Sequence, residues 1–134
     1  MKKILVTISK EPDGMYWCHT ENMLYGGWFN GAGETVDAAK EDLAFCIAEE
    51  REEMRGRGET PYDVEFHYQY DLQSFFEYFS FLNASDIARR AGINPSQMRQ
   101  YTSGVKNAGE KTYKKLSDCL DKIKNELQSS SFRT

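Results

Sequence analysis

The stretch NASDIARRAGINPSQMRQYTSG, residues 83–104, decides the fold of the second half of this chain. Asn83 suits a helix N-cap, and Asp86 three residues on completes an acidic variant of a capping box. Ile87, Ala88 and Ala91 share one face, with Ala88 small where two helices must approach closely. Gly92 supplies the φ > 0 position that ends this helix, and Ile93 plugs the turn. Asn94 then caps a second helix whose first position, Pro95, needs no backbone donor. Met98 and Tyr101 face inward at i, i+3 spacing, which leaves Ser96, Gln97, Arg99, Gln100 and Ser103 outside.

That outer set carries groups able to read base edges. Arginine grips guanine and glutamine grips adenine in the major groove, each with two hydrogen bonds. Ser96, Thr102 and Lys106 are placed to bond phosphates and set register. Arg89 and Arg90 lie on the preceding helix, which in a helix-turn-helix crosses the DNA backbone. The candidate DNA surface is therefore Arg89, Arg90, Asn94, Ser96, Gln97, Arg99, Gln100, Ser103 and Lys106. The alternative for the same residues is a helical hairpin packed on some other surface.

Charge divides the chain where this pattern begins. Residues 1–81 hold 7 Lys/Arg against 16 Asp/Glu, a net of -9, whereas residues 82–134 hold 10 against 5, a net of +5. Such asymmetry points to a polyanion for the basic half and a basic partner, or solubility alone, for the acidic half. Cys18, Cys46 and Cys119 form no CxxC pair, and their odd number argues against a disulfide framework. Cys46 and Cys119 fall on apolar helix faces, as buried thiols do. The N-terminal apolar run is too short for a signal peptide, and no stretch nears the roughly 18 apolar residues of a membrane span. The expectation is a soluble cytoplasmic protein.

The first half alternates strands with one helix. Ile4, Val6 and Ile8 share a face, Pro12-Asp13-Gly14 makes a turn, and Met15–Thr20 resumes as a strand, so residues 3–20 read as a hairpin. Four glycines around Trp28 and Phe29 fit a third short strand within residues 26–33. Thr35 opens a helix with Asp37 in its first turn, and Val36, Ala39, Leu43, Cys46, Ile47 and Met54 form its buried stripe. Gly56 and Gly58 end it before Pro61. Residues 64–70 alternate again, giving β-β-β-α-β over about 70 residues.

From Asp71 onward the pattern is helical to about Gln128, with a frayed tail over residues 129–134. Leu72, Phe75, Phe76, Phe79 and Leu82 make one helical stripe. In the last helix Tyr113, Leu116, Leu120, Ile123 and Leu127 are spaced 3-4-3-4, either a short coiled-coil seam or the face that closes the helical domain. Domain packing extended across a dimer suits a reader of paired half-sites.

Catalytic chemistry finds little to work with. The first strand holds no carboxylate for metal-dependent hydrolysis, and His19 and His67 sit in no nucleophile signature. No Walker motif, GxSxG or HExxH occurs, so neither enzyme activity, metal nor cofactor is expected. The aromatic cluster between Tyr62 and Phe81 lies among acidic residues, which favours core or interface packing over a stacking platform for nucleic acid.

Leu82–Leu120 resembles the lambda-repressor-like (Xre-type) helix-turn-helix family. The whole chain from Ile4 to about Leu127 resembles HicB antitoxins, on the Pro12-Asp13-Gly14 turn, the Gly33-Glu34-Thr35 helix start with Ala38 and Leu43, and the helix-turn-helix. It departs from that pattern at Gly26-Gly27-Trp28-Phe29, where the family more often has a Pro-Gly turn. The resemblance implies an α+β protein, a partial RNase H-like β-β-β-α-β domain over residues 1–71 followed by an all-α helix-turn-helix domain over residues 72–134. It implies an antitoxin that neutralises a small basic mRNA-cleaving toxin of the HicA type and binds its own operator as a homodimer or higher oligomer. Glu11, Asp13 and the run from Glu49 to Glu53 are the candidate toxin-facing residues, with a solvated surface as the alternative for each. The runner-up is a stand-alone regulator whose first domain senses a ligand or dimerises, and a third reading keeps residual hydrolytic activity.

Overall fold

A computed structural model describes residues 1–133 as an α+β protein with four strands and five helices. Strands β1 (Lys2–Lys10), β2 (Tyr16–Thr20) and β3 (Asn30–Gly33) precede the long helix α1 (Val36–Gly56). Then come β4 (Val64–Tyr70), α2 (Leu72–Tyr78), α3 (Ala84–Ala91), α4 (Pro95–Thr102) and α5 (Glu110–Gln128). No helix among the described residues is long and apolar enough to cross a membrane. The chain divides into two compact units, Met1–Tyr78 and Phe79–Thr134. That division falls later than the boundary expected at residue 71, because α2 packs with the sheet and α1.

The first unit is a mixed sheet in the order β3-β2-β1-β4, antiparallel from β3 to β1 and parallel between β1 and β4. Period-two alternation in β1 places Ile4, Val6 and Ile8 on one face, where all are fully buried. Tyr16 and Cys18 of β2 join them, under Val36, Ala39, Leu43 and Ile47 of α1. Burial pushes the Cys18 thiol up to about 11. Of the two helical cysteines read as buried, Cys119 is covered but Cys46 is only half-buried.

Local chemistry sets the connections. Gly14 takes φ +83 in the β1–β2 turn, and the Asp13 carboxylate accepts the Met15 N–H at 2.9 Å. Thr35 caps α1 with its hydroxyl, accepting the Ala38 N–H at 3.0 Å. Glu77 of α2 accepts the Val36 N–H at 3.0 Å, where the helix dipole favours a carboxylate.

Two expected elements come out shorter. The third strand begins only at Asn30, because Leu24 to Gly27 close a tight turn on themselves through reciprocal backbone bonds of 2.9 Å. Tyr25 (φ 51) and Gly26 (φ 77) both adopt the left-handed region, as a type I′ turn requires. Tyr25 is held there by its hydroxyl donating to the Tyr62 carbonyl at 2.7 Å and its N–H donating to the Tyr62 hydroxyl at 3.1 Å. The aromatic stripe after Asp71 is likewise no continuous helix: α2 stops at Tyr78, and Phe79 and Leu82 belong to the second unit.

β3 and α1 touch backbone to backbone. A Cβ on Gly31 would lie 2.4 Å from the Leu43 nitrogen and 2.5 Å from the Ala39 carbonyl oxygen. Gly33 meets Ala38 and Ala39 as closely. Over β4, by contrast, the cover is thinner, and Lys40 of α1 fills it. Its ammonium lies 3.6 Å from the Tyr78 ring centroid and 4.2 Å from that of Tyr68, and donates to the Tyr70 hydroxyl at 2.8 Å.

Two outcomes are expected. Gly31→Ala forces backbone atoms apart and lowers the urea midpoint by the equivalent of ~1–3 kcal/mol or more, whereas Gly27→Ala, with open space at its Cβ, does far less. Burial alone would lower the Lys40 pKa, but its bond to Tyr70 and the nearness of Tyr70 and Tyr78 outweigh that and raise it. Tyr68 and Tyr70 are raised chiefly by burial. All three hold their protons more tightly folded than unfolded, so their stabilising effect is complete below about pH 10 and is lost as pH rises further. Urea midpoints measured from neutral pH upward should stay level until about pH 10 and then fall; a level profile through that range would refute the assignment.

Candidate nucleic-acid interface

In the second unit each helix end has its own chemical stop or start. The Asn83 carboxamide accepts the Asp86 N–H at 3.0 Å and opens α3. Gly92 ends it at φ 77, with its N–H on the Arg89 carbonyl at 3.2 Å and the Ile93 N–H on the Ala88 carbonyl at 2.8 Å. The Asn94 carboxamide then accepts the Ser96 and Gln97 N–H groups at 2.8 and 3.4 Å, and Pro95 takes the first turn of α4. Ile87, Ala88, Ile93 and Met98 are buried, with Leu116 and Cys119 of α5. The Cys119 Sγ lies 3.8 Å from the Ile87 carbonyl.

Within α4 the single fully buried side chain is Met98, at 1% exposure. Ser96, Gln97 and Arg99 are exposed, as are Asn94 before the helix and Ser103 and Lys106 after it. Gln100 and Tyr101 are half-buried, so Gln100, read as an outside residue, is partly withdrawn from that surface. The Arg99 guanidinium donates to the Ser96 hydroxyl at 3.0 Å, which joins two of the candidate contacts on one side of the helix. The Ser103 hydroxyl donates to the Gln100 carbonyl at 3.3 Å, and the Lys106 N–H donates to the same oxygen at 3.1 Å. The chain leaving α4 thus stays beside its last turn.

Arg89 and Arg90 are exposed but engaged. Arg89 pairs with Asp86 one turn back, and Arg90 reaches Glu126 of α5 at 2.8 Å. Exposed pairs of this kind are worth about 0–1 kcal/mol, little enough for a phosphate to displace the carboxylate.

Around Arg90 the unit has two recesses that periodicity did not define. One, of about 390 Å³, is lined by Arg90, Ala91, Lys115, Asp118, Cys119 and Lys122. The other, of about 400 Å³ and mainly apolar, runs between Phe81, Leu82 and Ile87 on one side and Leu120, Ile123 and Leu127 on the other. The 3-4-3-4 spacing of α5 had picked out three of these six residues. Leu116 of that stripe closes the core, but Leu127 stays 67% exposed and Phe81 80%.

Of the acidic candidates of the first unit, Glu11 and Asp13 are not brought together with Glu49 and Glu53. Glu11 and Asp13 lie at the β1–β2 turn, where Glu11 accepts from the Ser9 hydroxyl at 2.6 Å and Asp13 from the Trp17 indole at 3.0 Å. Gly33, just before α1, pairs with Tyr16 at this same end of the sheet. Glu49 and Glu53 are exposed in the last third of α1, a helix about 30 Å long, and so stand toward the opposite end. No family model matches this chain, and neither any curated protein nor any solved structure compared with it does.

Proposed function

We propose that this protein is a HicB-like antitoxin: α3 and α4 act as a helix-turn-helix that binds the operator of its own operon as a dimer, and the acidic first unit neutralises a small basic mRNA-cleaving toxin. The observation that carries the DNA-binding part is α4 itself. It is capped at its N-terminus, anchored by Met98, and otherwise exposes Ser96, Gln97 and Arg99 to solvent. A helix entering the major groove needs that arrangement, with base-reading side chains on the outside and the N-terminal N–H groups near phosphate. The apolar recess bordered by Phe81 and Leu127 supports a dimer, and the β-β-β-α-β order supports a partial RNase H-like first domain.

The second reading, a stand-alone regulator whose first unit senses a ligand or dimerises, is favoured by one observation. Glu11 and Asp13 stand apart from Glu49 and Glu53, so no single toxin-facing patch holds all four.

Gel-shift titration against the DNA upstream of its own gene tests the first claim. Gln97→Ala combined with Arg99→Ala removes two base contacts worth roughly 1–3 kcal/mol each, so operator affinity should fall by at least about thirtyfold with the circular dichroism unchanged. Lys106→Ala should weaken all sequences alike and reduce the logarithmic salt slope by about 0.9. Unchanged operator affinity in the double variant overturns the placement of α4. Rescue of growth in cells making the toxin encoded beside this gene separates the antitoxin reading from the regulator, which gives no rescue.

A further inference from the structure

The two margins of the sheet are treated differently. β3 is four residues long, contains two glycines, and has its outward Ala32 N–H occupied by the Asp42 carboxylate at 2.9 Å. Those are devices that stop a further strand from adding. β4 has none of them: it runs seven residues without proline or glycine, and no described strand pairs with its far side. The bonds at its ends, Lys2 N–H to Asp63 carbonyl at 3.2 Å and Asp71 N–H to Ile8 carbonyl at 3.1 Å, fix the alternation between. Glu65, His67 and Gln69 turn their peptide groups toward β1, so Val64, Phe66 and Tyr68 turn theirs outward. Phe66 and Tyr68 are only half-buried although they share the face that α1 covers, whereas their neighbours Ile4 and Val6 on β1 are wholly buried.

We infer that β4 is a docking edge for β4 of a second copy, antiparallel across a twofold axis through His67. The sequence of the strand is complementary to itself in that register. Phe66 of each copy faces Tyr68 of the other on the α1 side, as hydrogen-bonded pairs formed by the outward peptide groups, and aromatic cross-strand pairs are stabilising. On the opposite side Glu65 faces Gln69, so no carboxylate meets another. Sliding the register by two residues in either direction shortens the seven-residue ladder to five. A twofold, self-complementary contact of this kind is the commonest form of homodimer. The inference concerns the first unit and stands whether or not the second binds DNA.

The axis makes a sharp test, because the two His67 residues become a non-hydrogen-bonded pair with Cα atoms about 4.5 Å apart, within the range a disulfide spans. Full-length His67→Cys should form a disulfide-linked dimer under mild oxidation, seen on a non-reducing gel, while the parent chain does not. Glu65→Cys and Gln69→Cys should each remain monomeric on the gel alone and cross-link when mixed, as the register requires. Light scattering of His67→Asp, which sets two carboxylates face to face, should show the assembly losing half its mass. Absence of the His67→Cys dimer, cross-linking of Glu65→Cys with itself, or capture of a different polypeptide by His67→Cys would each overturn the inference. Operator binding by the reduced His67→Cys chain is read separately, so failure at this edge is distinguishable from failure of the DNA-binding reading.

Discussion

The close approach of β3 to α1 fixes most of what the first unit can be. Gly31 and Gly33 let a strand lie against the helix with no side chain between them, and that contact sets where the helix crosses the sheet. Val36, Ala39, Leu43 and Ile47 then cover Ile4, Val6, Ile8 and Cys18 without leaving solvent access. The helix is thereby drawn toward the β3 side. β4, at the far side, is covered by the long arm of Lys40 and by the rings of Phe75 and Tyr78 from α2. A lysine suits this place because its stem is apolar and its charge rests on aromatic faces.

The second unit depends on a different economy. Three consecutive residues, Gly92, Ile93 and Asn94, stop one helix, anchor the corner and start the next. Because Ile93 and Met98, with the half-buried Tyr101, hold α4 in place, Ser96, Gln97 and Arg99 carry little responsibility for packing. A helix so lightly invested in its own core has most of its polar surface available to another molecule. Arg89 and Arg90, tied to carboxylates of the same unit, are less ready, and binding an anion there means exchanging one partner for another.

Features governed by neighbouring residues were legible in the sequence. The caps at Thr35, Asn83 and Asn94, the Gly14 and Gly92 turns and the alternation in β1 and β4 all rest on interactions within a few positions. The exposure of most residues proposed to face DNA was legible for the same reason, with Gln100 the exception, since its partial burial depends on what the chain does after the helix. Features set by distant contacts were hidden. Gly31 reads only as one of four glycines fitting a short strand, although it makes the tightest approach of the described glycines. Tyr25 gave no sign of a left-handed backbone, which Tyr62 secures from 37 residues away. The aromatic stripe from Leu72 matched helical spacing past Tyr78, where the chain in fact passes from one compact unit to the other.

The carboxylate of Asp42 on the outward N–H of Ala32 has a consequence for assembly as a whole. A sheet stoppered along one border cannot propagate by pairing with copies of itself, since a second copy joined at β4 presents only its own stoppered β3 side. Growth by strand addition therefore terminates after a single step, and a chain rich in aromatic strand residues is kept from the endless stacking that builds fibrils.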